Sequence, residues 1–175
     1  MSIAKETIEN LLGAIAAKTP TPGGGAVAAI TSALAAALGQ MVVSYSRSKA
    51  SLQEHSQLHE EALATLGKLQ ESSLRLADED AKAFGHLSDL WGLPADDARR
   101  QAEWESAVAG AIAAPRQIMG ASISTLRLLE QLAGKTSRTL RSDLALDALT
   151  LNTPHSKERL FGPGLLYLLA VCPAS

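Results

Sequence analysis

Apolar and polar positions divide this chain into one stretch with no polar face and several that have one. From Thr19 to Ser46 (TPTPGGGAVAAITSALAAALGQMVVSYS) no side chain carries a charge. Pro20 and Pro22 fix φ and bias Thr19 and Thr21 towards extended backbone, and Gly23, Gly24 and Gly25 follow as a loop that can turn in any direction. Ala and Leu dominate from Ala26 onward, so the pattern predicts a helix from about Gly25 to Ser46 that is apolar all round. Such a helix is buried, either in lipid or in the middle of a protein. Ala28, Ala29, Ser32, Ala33, Ala35, Ala36, Ala37 and Gly39 keep it thin, which suits close approach of other helices, and no aromatic belt or basic flank beyond Lys18 marks a membrane boundary. The expectation is a central helix wrapped by others.

The flanking segments are amphipathic. Ser2 can cap a first helix whose stripe is Ala4, Ile8, Leu11, Leu12 and Ile15, ending before Pro20. Ser51 to Glu54 has the capping-box pattern and opens a long helix to about Leu90, with an inward stripe of Leu52, His55, His59, Ala62, Leu63, Leu66, Leu69, Ser73, Leu76, Ala77, Asp80, Phe84 and Leu87. Leu93-Pro94 breaks that pattern. Asp96-Asp97 suits the first turn of a further helix, kinked at Pro115, that stops at Gly134. A basic, hydroxyl-rich loop from Lys135 to Arg141 leads to a short helix from Ser142 to about Leu151. Trp91 and Trp104 are isolated aromatics expected to pack against neighbouring helices. With no repeat and no linker, residues 1–175 read as a single all-α domain, a multihelical bundle around a buried central helix.

Composition narrows the function classes. A chain of 175 residues is long enough for one substantial core, and with aromatics at 3% it suits closely packed helices better than a β sandwich. The net charge of -2, from 16 basic and 18 acidic residues, gives no reason to expect nucleic acid as a partner. Cys172 is the one cysteine, so no internal disulfide forms. MSIAKETIEN does not read as a signal peptide, and a cytoplasmic location is expected.

Three features carry candidate chemistry. The glycine loop leaves backbone N–H groups unpaired at a helix N-terminus, where an anion or polarised carbonyl is favoured; equally, three glycines can simply let a loop turn between packed helices. Asp80 faces inward at four residues from Leu76 and Phe84, while Asp78 and Glu79 point away. A carboxylate on an apolar face is either a site residue with a shifted pKa or a buried partner for an Arg or a helix N-terminus. His55 and His59 have the i, i+4 spacing of a metal pair but lack a third ligand on a matching face, so core or interface histidines are expected. Arg47 and Lys49 fall at the C-terminal end of the central helix, where they can cap it or meet an acidic ligand.

Taken together and in order, TPTPGGGAVAA, DEDAKAF, the turn at Leu93-Pro94, AAP at Ala113 to Pro115 and RSDL at Arg141 to Leu144 resemble the formiminotransferase-cyclodeaminase C-terminal family, collinearly from about Glu6 to Leu151. The tail from about residue 152 departs from that pattern. The resemblance implies a helical bundle, a homodimer, no metal and no redox cofactor, and chemistry on a one-carbon unit carried by a tetrahydrofolate substrate. The family's Pro-Gly-Gly-Gly falls on Pro22, Gly23, Gly24 and Gly25, its inward acidic position on Asp80, its basic position on Lys49, and its Ser-Asp on Ser142 and Asp143.

The resemblance thus implies hydrolysis of 5,10-methenyltetrahydrofolate to 10-formyltetrahydrofolate, with Asp80 and Asp143 as acid/base residues, the glycines on the pterin or an oxyanion, and Lys49 on the glutamate tail. Cyclodeamination of formiminotetrahydrofolate, or a helical dimer that binds folate or a protein without catalysis, are the other readings.

Overall fold

A computed structural model describes residues 2–140 together with Ser142 and Asp143, so the helix expected from Ser142 to about Leu151 lies outside the described residues apart from its first two positions. All regular elements among the described residues are helical. A 3-10 turn (Ile3–Lys5) precedes α1 (Ile8–Ala16), followed by α2 (Gly24–Arg47), a second 3-10 turn (Ala50–His55), α3 (Ser56–Trp91), α4 (Ala98–Leu132) and a third 3-10 turn (Arg138–Leu140).

Side-chain capping sets the starts of α1 and α4. Ser2 makes no capping bond, and the first helix is split: Thr7 Oγ1 accepts from Asn10 N and starts α1 there. The Ser51–Glu54 segment folds as a 3-10 turn, so α3 begins at Ser56, five residues later than its capping-box pattern predicts. Asp97 caps α4 as its position suggests, accepting from the N–H groups of Arg99 and Arg100. That helix runs on through Pro115 and stops at Gly134, whose φ of 77° places it in the left-handed region that a residue without Cβ adopts most easily.

The three long helices pack on one another in a ladder of core clusters. Beside the C-terminal half of α2 lie Ala36, Val42, Val43, Ala62, Leu66, Leu129 and Leu132; beside its N-terminal turn lie Ala26, Ala29, Leu76, Ala77 and Ile118. The order of these contacts makes α3 antiparallel to both α2 and α4. A last cluster, Leu87, Leu90, Ala107 and Ala111, joins α3 and α4 beyond the start of α2 and is closed by Trp91 and Trp104, stacked edge to face at 6.3 Å. Small side chains let α2 approach α3 closely enough for Ser73 to bond Ser32 (3.3 Å) and Gln40 to bond Gln70 (2.6 Å).

One side of α2 is uncovered. Ala26, Ala29, Ser32, Ala33, Ala36, Gly39, Val42 and Val43 are buried against the bundle, whereas Leu34 is 66% and Tyr45 63% exposed on a stripe that also carries Val27 and Met41. α2 is long and apolar enough to cross a membrane, with a mean hydropathy of 1.9 over its best window. Alongside it, however, α3 exposes Glu60, Glu61, Lys68, Glu71, Arg75, Glu79 and Lys82, and a bilayer that received α2 would receive those charges too.

Candidate active site

α2 starts where it does because three glycines end a Pro-stiffened lead, and its N-cap, Gly23, has no side chain with which to cap the exposed N–H groups. The cap comes from another helix. Asp80 of α3 places its carboxylate directly against Gly25 and accepts a backbone hydrogen bond from Ala26. A Cβ at Gly25 would overlap the carboxylate carbon and both oxygens. Gly25 is therefore required by space, since it does not have a positive φ. Thr21 lies further along α3, close to Gly85, so Thr21 to Gly25 runs down one face of α3 from Gly85 to Asp80.

The predicted inward phase of Asp80 holds: the residue is 7% exposed while Glu79 is on the surface in an ion pair with Arg75. Burial raises the Asp80 pKa above its usual carboxylate value, and the Ala26 hydrogen bond offsets part of that rise. Among the described residues no Lys, Arg or His is ion-paired with it. Asp80 therefore takes up the glycine loop's anion-binding potential with an internal carboxylate. The arrangement couples a poorly solvated acid to a helix N-terminus in one small site.

Asp78 departs from expectation. Instead of pointing away, it is half-buried and accepts from Ser2 Oγ and Ile3 N, both at 2.7 Å, strapping the N-terminal turn across α3 two residues from Asp80. Its phase on the helix carried no such signal, because the partners lie more than seventy residues away in sequence.

The other candidates lie at the far end of α2. Lys49 does not cap the helix; it donates to Ser137 Oγ, while Ser137 N donates to Ser46 Oγ at 2.9 Å and pins the 135–139 loop there. Ser142 is exposed and Asp143 half-buried just beyond. From Gly25 to Ser46 the helix rises about 32 Å at 1.5 Å per residue, and the six residues from Ser137 to Asp143 reach at most about 22 Å. Within one chain, then, Asp80 meets Gly25 and Ala26, whereas Lys49 lies at the other end of α2 and the stretch from Ser137 is too short to bring Ser142 or Asp143 to Asp80.

His59 is fully buried with Nε2 2.8 Å from the Lys135 carbonyl oxygen, and His55 stands edge-on to it at 6.3 Å but is only half-buried, beside Glu54. Among the described residues no three His, Cys, Asp or Glu side chains converge.

The sequence matches the formiminotransferase-cyclodeaminase family over residues 7–156, a span that contains every candidate site residue above. The chain belongs to this family. A methenyltetrahydrofolate cyclohydrolase from Methylorubrum extorquens is 30% identical over 149 residues, covering 83% of this chain and 72% of that protein. In fold, the chain is similar to the crystal structure of formiminotetrahydrofolate cyclodeaminase from Thermotoga maritima, with a TM-score of 0.82 and 22% identity over 98% of this chain and 82% of that one. Both names denote reactions at a one-carbon unit on tetrahydrofolate.

Proposed function

We propose that this protein hydrolyses 5,10-methenyltetrahydrofolate to 10-formyltetrahydrofolate. The observation that carries the reading is the buried Asp80 carboxylate at the N-terminus of α2, with no cation ion-paired to it among the described residues. The substrate's bridging carbon is part of a cationic amidinium, and a desolvated carboxylate attracts that cation more strongly than a hydrated one does. Water adds to the bridging carbon and gives up one proton; as the C–N5 bond breaks, the remaining hydroxyl proton leaves to give the formyl C=O on N10 and N5 takes a proton, so that one proton is released overall. A carboxyl group whose pKa is lifted from its usual value is better matched to both transfers near neutral pH. No metal or redox cofactor is required by this sequence of steps. Loss of ammonia from a formimino group on N5 would call on the same acid and base.

The active form in this reading is a homodimer through the apolar stripe of α2, where Val27, Leu34, Met41 and Tyr45 are uncovered. Antiparallel pairing of two such stripes would bring the Lys49 end of the second copy, with its Ser142 and Asp143, beside the first copy's glycine loop. Lys49 would then meet the folate's glutamate carboxylates and Asp143 would supply the second acid/base group. A cytoplasmic setting accompanies the proposal, because one cysteine leaves no internal disulfide that needs an oxidising compartment.

Mixing the purified protein with methenyltetrahydrofolate and following the loss of its near-ultraviolet band tests the reaction directly. Catalysed loss supports the reading; ammonia release from formiminotetrahydrofolate alone would replace it with cyclodeamination, and saturable binding without turnover of either would replace it with a folate binder. Leu34→Glu should convert a dimer to a monomer in light scattering and abolish turnover, whereas a monomeric wild type would remove the two-copy site.

A further inference from the structure

The strap held by Asp78 frames a cavity that none of the chemistry above uses. It has a volume of about 260 Å³ and lies between the N-terminal turn, α1 and the start of the glycine loop. Ile3, Leu11 and Pro22 wall it with apolar surface, and Glu6 and Asn10 supply its polar edge. Asn10 Nδ2 donates to Glu6 Oε2 at 3.3 Å, and Asn10 N is held by Thr7 Oγ1, so the Glu6 carboxylate is oriented from one side and its other oxygen still accepts. The cavity adjoins the candidate active site: Pro22 leads into Gly23 to Gly25, and Ile3 packs on the cluster of Ala26, Ala29, Leu76 and Ala77 beside Asp80. α1 buries none of its residues, and Ile8 is 77% exposed, so core packing does not account for holding this helix over the cavity.

A pocket of this size takes one ring system and not a whole elongated ligand. Apolar walls suit a flat ring, and a carboxylate with two acceptor oxygens matches a ring edge that presents two adjacent N–H donors. We propose that this cavity is the subsite for the 2-amino-4-oxopyrimidine edge of a reduced pterin, with Glu6 as its specificity-determining residue. The inference rests on the folate reading above. With N3–H and the 2-amino group on Glu6, the opposite side of the bicycle, bearing N5 and the one-carbon bridge, faces Pro22 and the Asp80 carboxylate. Asp78 is then a positioning residue, since it fixes the strap that carries Glu6.

Titration of the full-length protein with 6-methyltetrahydropterin and, separately, with p-aminobenzoylglutamate tests the assignment, alongside methenyltetrahydrofolate turnover. Glu6→Gln replaces one acceptor with a donor and should weaken the pterin fragment about 10- to 100-fold, the range expected when a hydrogen bond to a charged group is lost. It should raise KM for the folate by a similar factor with a smaller change in kcat, leave p-aminobenzoylglutamate affinity unchanged, and melt with the wild type. Glu6→Asp should restore part of the loss. If the wild type turns over the folate but shows no affinity for the pterin fragment, or if Glu6→Gln leaves KM and fragment affinity as they were, the subsite is wrong while the folate function stands. A wild type that neither binds nor converts the folate overturns both.

Discussion

Asp80→Asn is expected to lower turnover by about 10² to 10⁴, the usual consequence of removing a general acid or base, while leaving the melting temperature equal to the wild type or above it. Asn keeps an oxygen that can accept from Ala26 N–H and is a good helix cap in its own right, so the N-terminus of α2 stays satisfied. What disappears is a charge that burial disfavours. Because folding raises the Asp80 pKa, the cost falls on the ionised folded state: it is fully present above the folded pKa and is relieved as pH falls through that value towards the unfolded one. The wild type should therefore gain stability relative to Asp80→Asn on mild acidification, and its kcat/KM should show an acid limb above the usual carboxylate range that the variant lacks. A structural ion pair predicts the opposite, since an orphaned buried partner typically costs about 3 to 5 kcal/mol. A variant that melts early and keeps full activity would remove Asp80 from the mechanism.

The inward face of α3 was legible because burial repeats with helical period: His59, Ala62, Leu66, Ser73, Leu76, Ala77, Asp80 and Leu87 all fall on the predicted stripe and are all buried. The course of α2 was legible from its uncharged run of helix-forming Ala and Leu after three glycines, and its neighbours are helices, as its small side chains suggested. Local patterns did not show which of its sides stays uncovered. Helix periodicity finds no polar face on α2, yet Leu34 and Tyr45 are on the surface, because a helix apolar on every side carries no signal of which side its neighbours cover. The glycine loop was legible as an N-terminal anion site but not as one already filled. That depends on where a side chain more than fifty residues downstream comes to rest.

The same distance in sequence hid Asp78, whose partners Ser2 and Ile3 are set by the fold and not by helix phase. It also hid which end of α2 Asp80 meets, although the sequence already set the glycine loop and Lys49 at opposite ends of that helix. Two boundaries shifted. Thr7 starts α1 by accepting from Asn10 N–H in place of the expected cap, Ser2, whereas α3 starts at Ser56 behind a 3-10 turn, with no side-chain capping bond at its N-cap His55.

Gly25→Ala should destabilise the protein and lower its turnover together. Its Cβ would overlap the Asp80 carboxylate, so either α2 and α3 separate or the carboxylate leaves the helix N-terminus. Forcing volume into a packed contact costs about 1 to 3 kcal/mol, and for a domain of this size each kcal/mol lowers the melting temperature by about 2 to 4 °C. Turnover should fall with it, because the displaced carboxylate no longer faces the site. Gly24→Ala offers a control for stability alone: a Cβ there meets nothing within 4 Å, and its melting point should match or exceed the wild type. The decisive variant is the double one. In an Asp80→Ala background the obstructing carboxylate is gone, so adding Gly25→Ala should cost little, and the two single penalties should fail to add by roughly 0.5 to 3 kcal/mol, as expected for residues in direct contact. Simple additivity of the two would mean that Gly25 is required by the backbone path of the loop and not by Asp80, and the coupling of glycine loop and acid on which the site is built would fall.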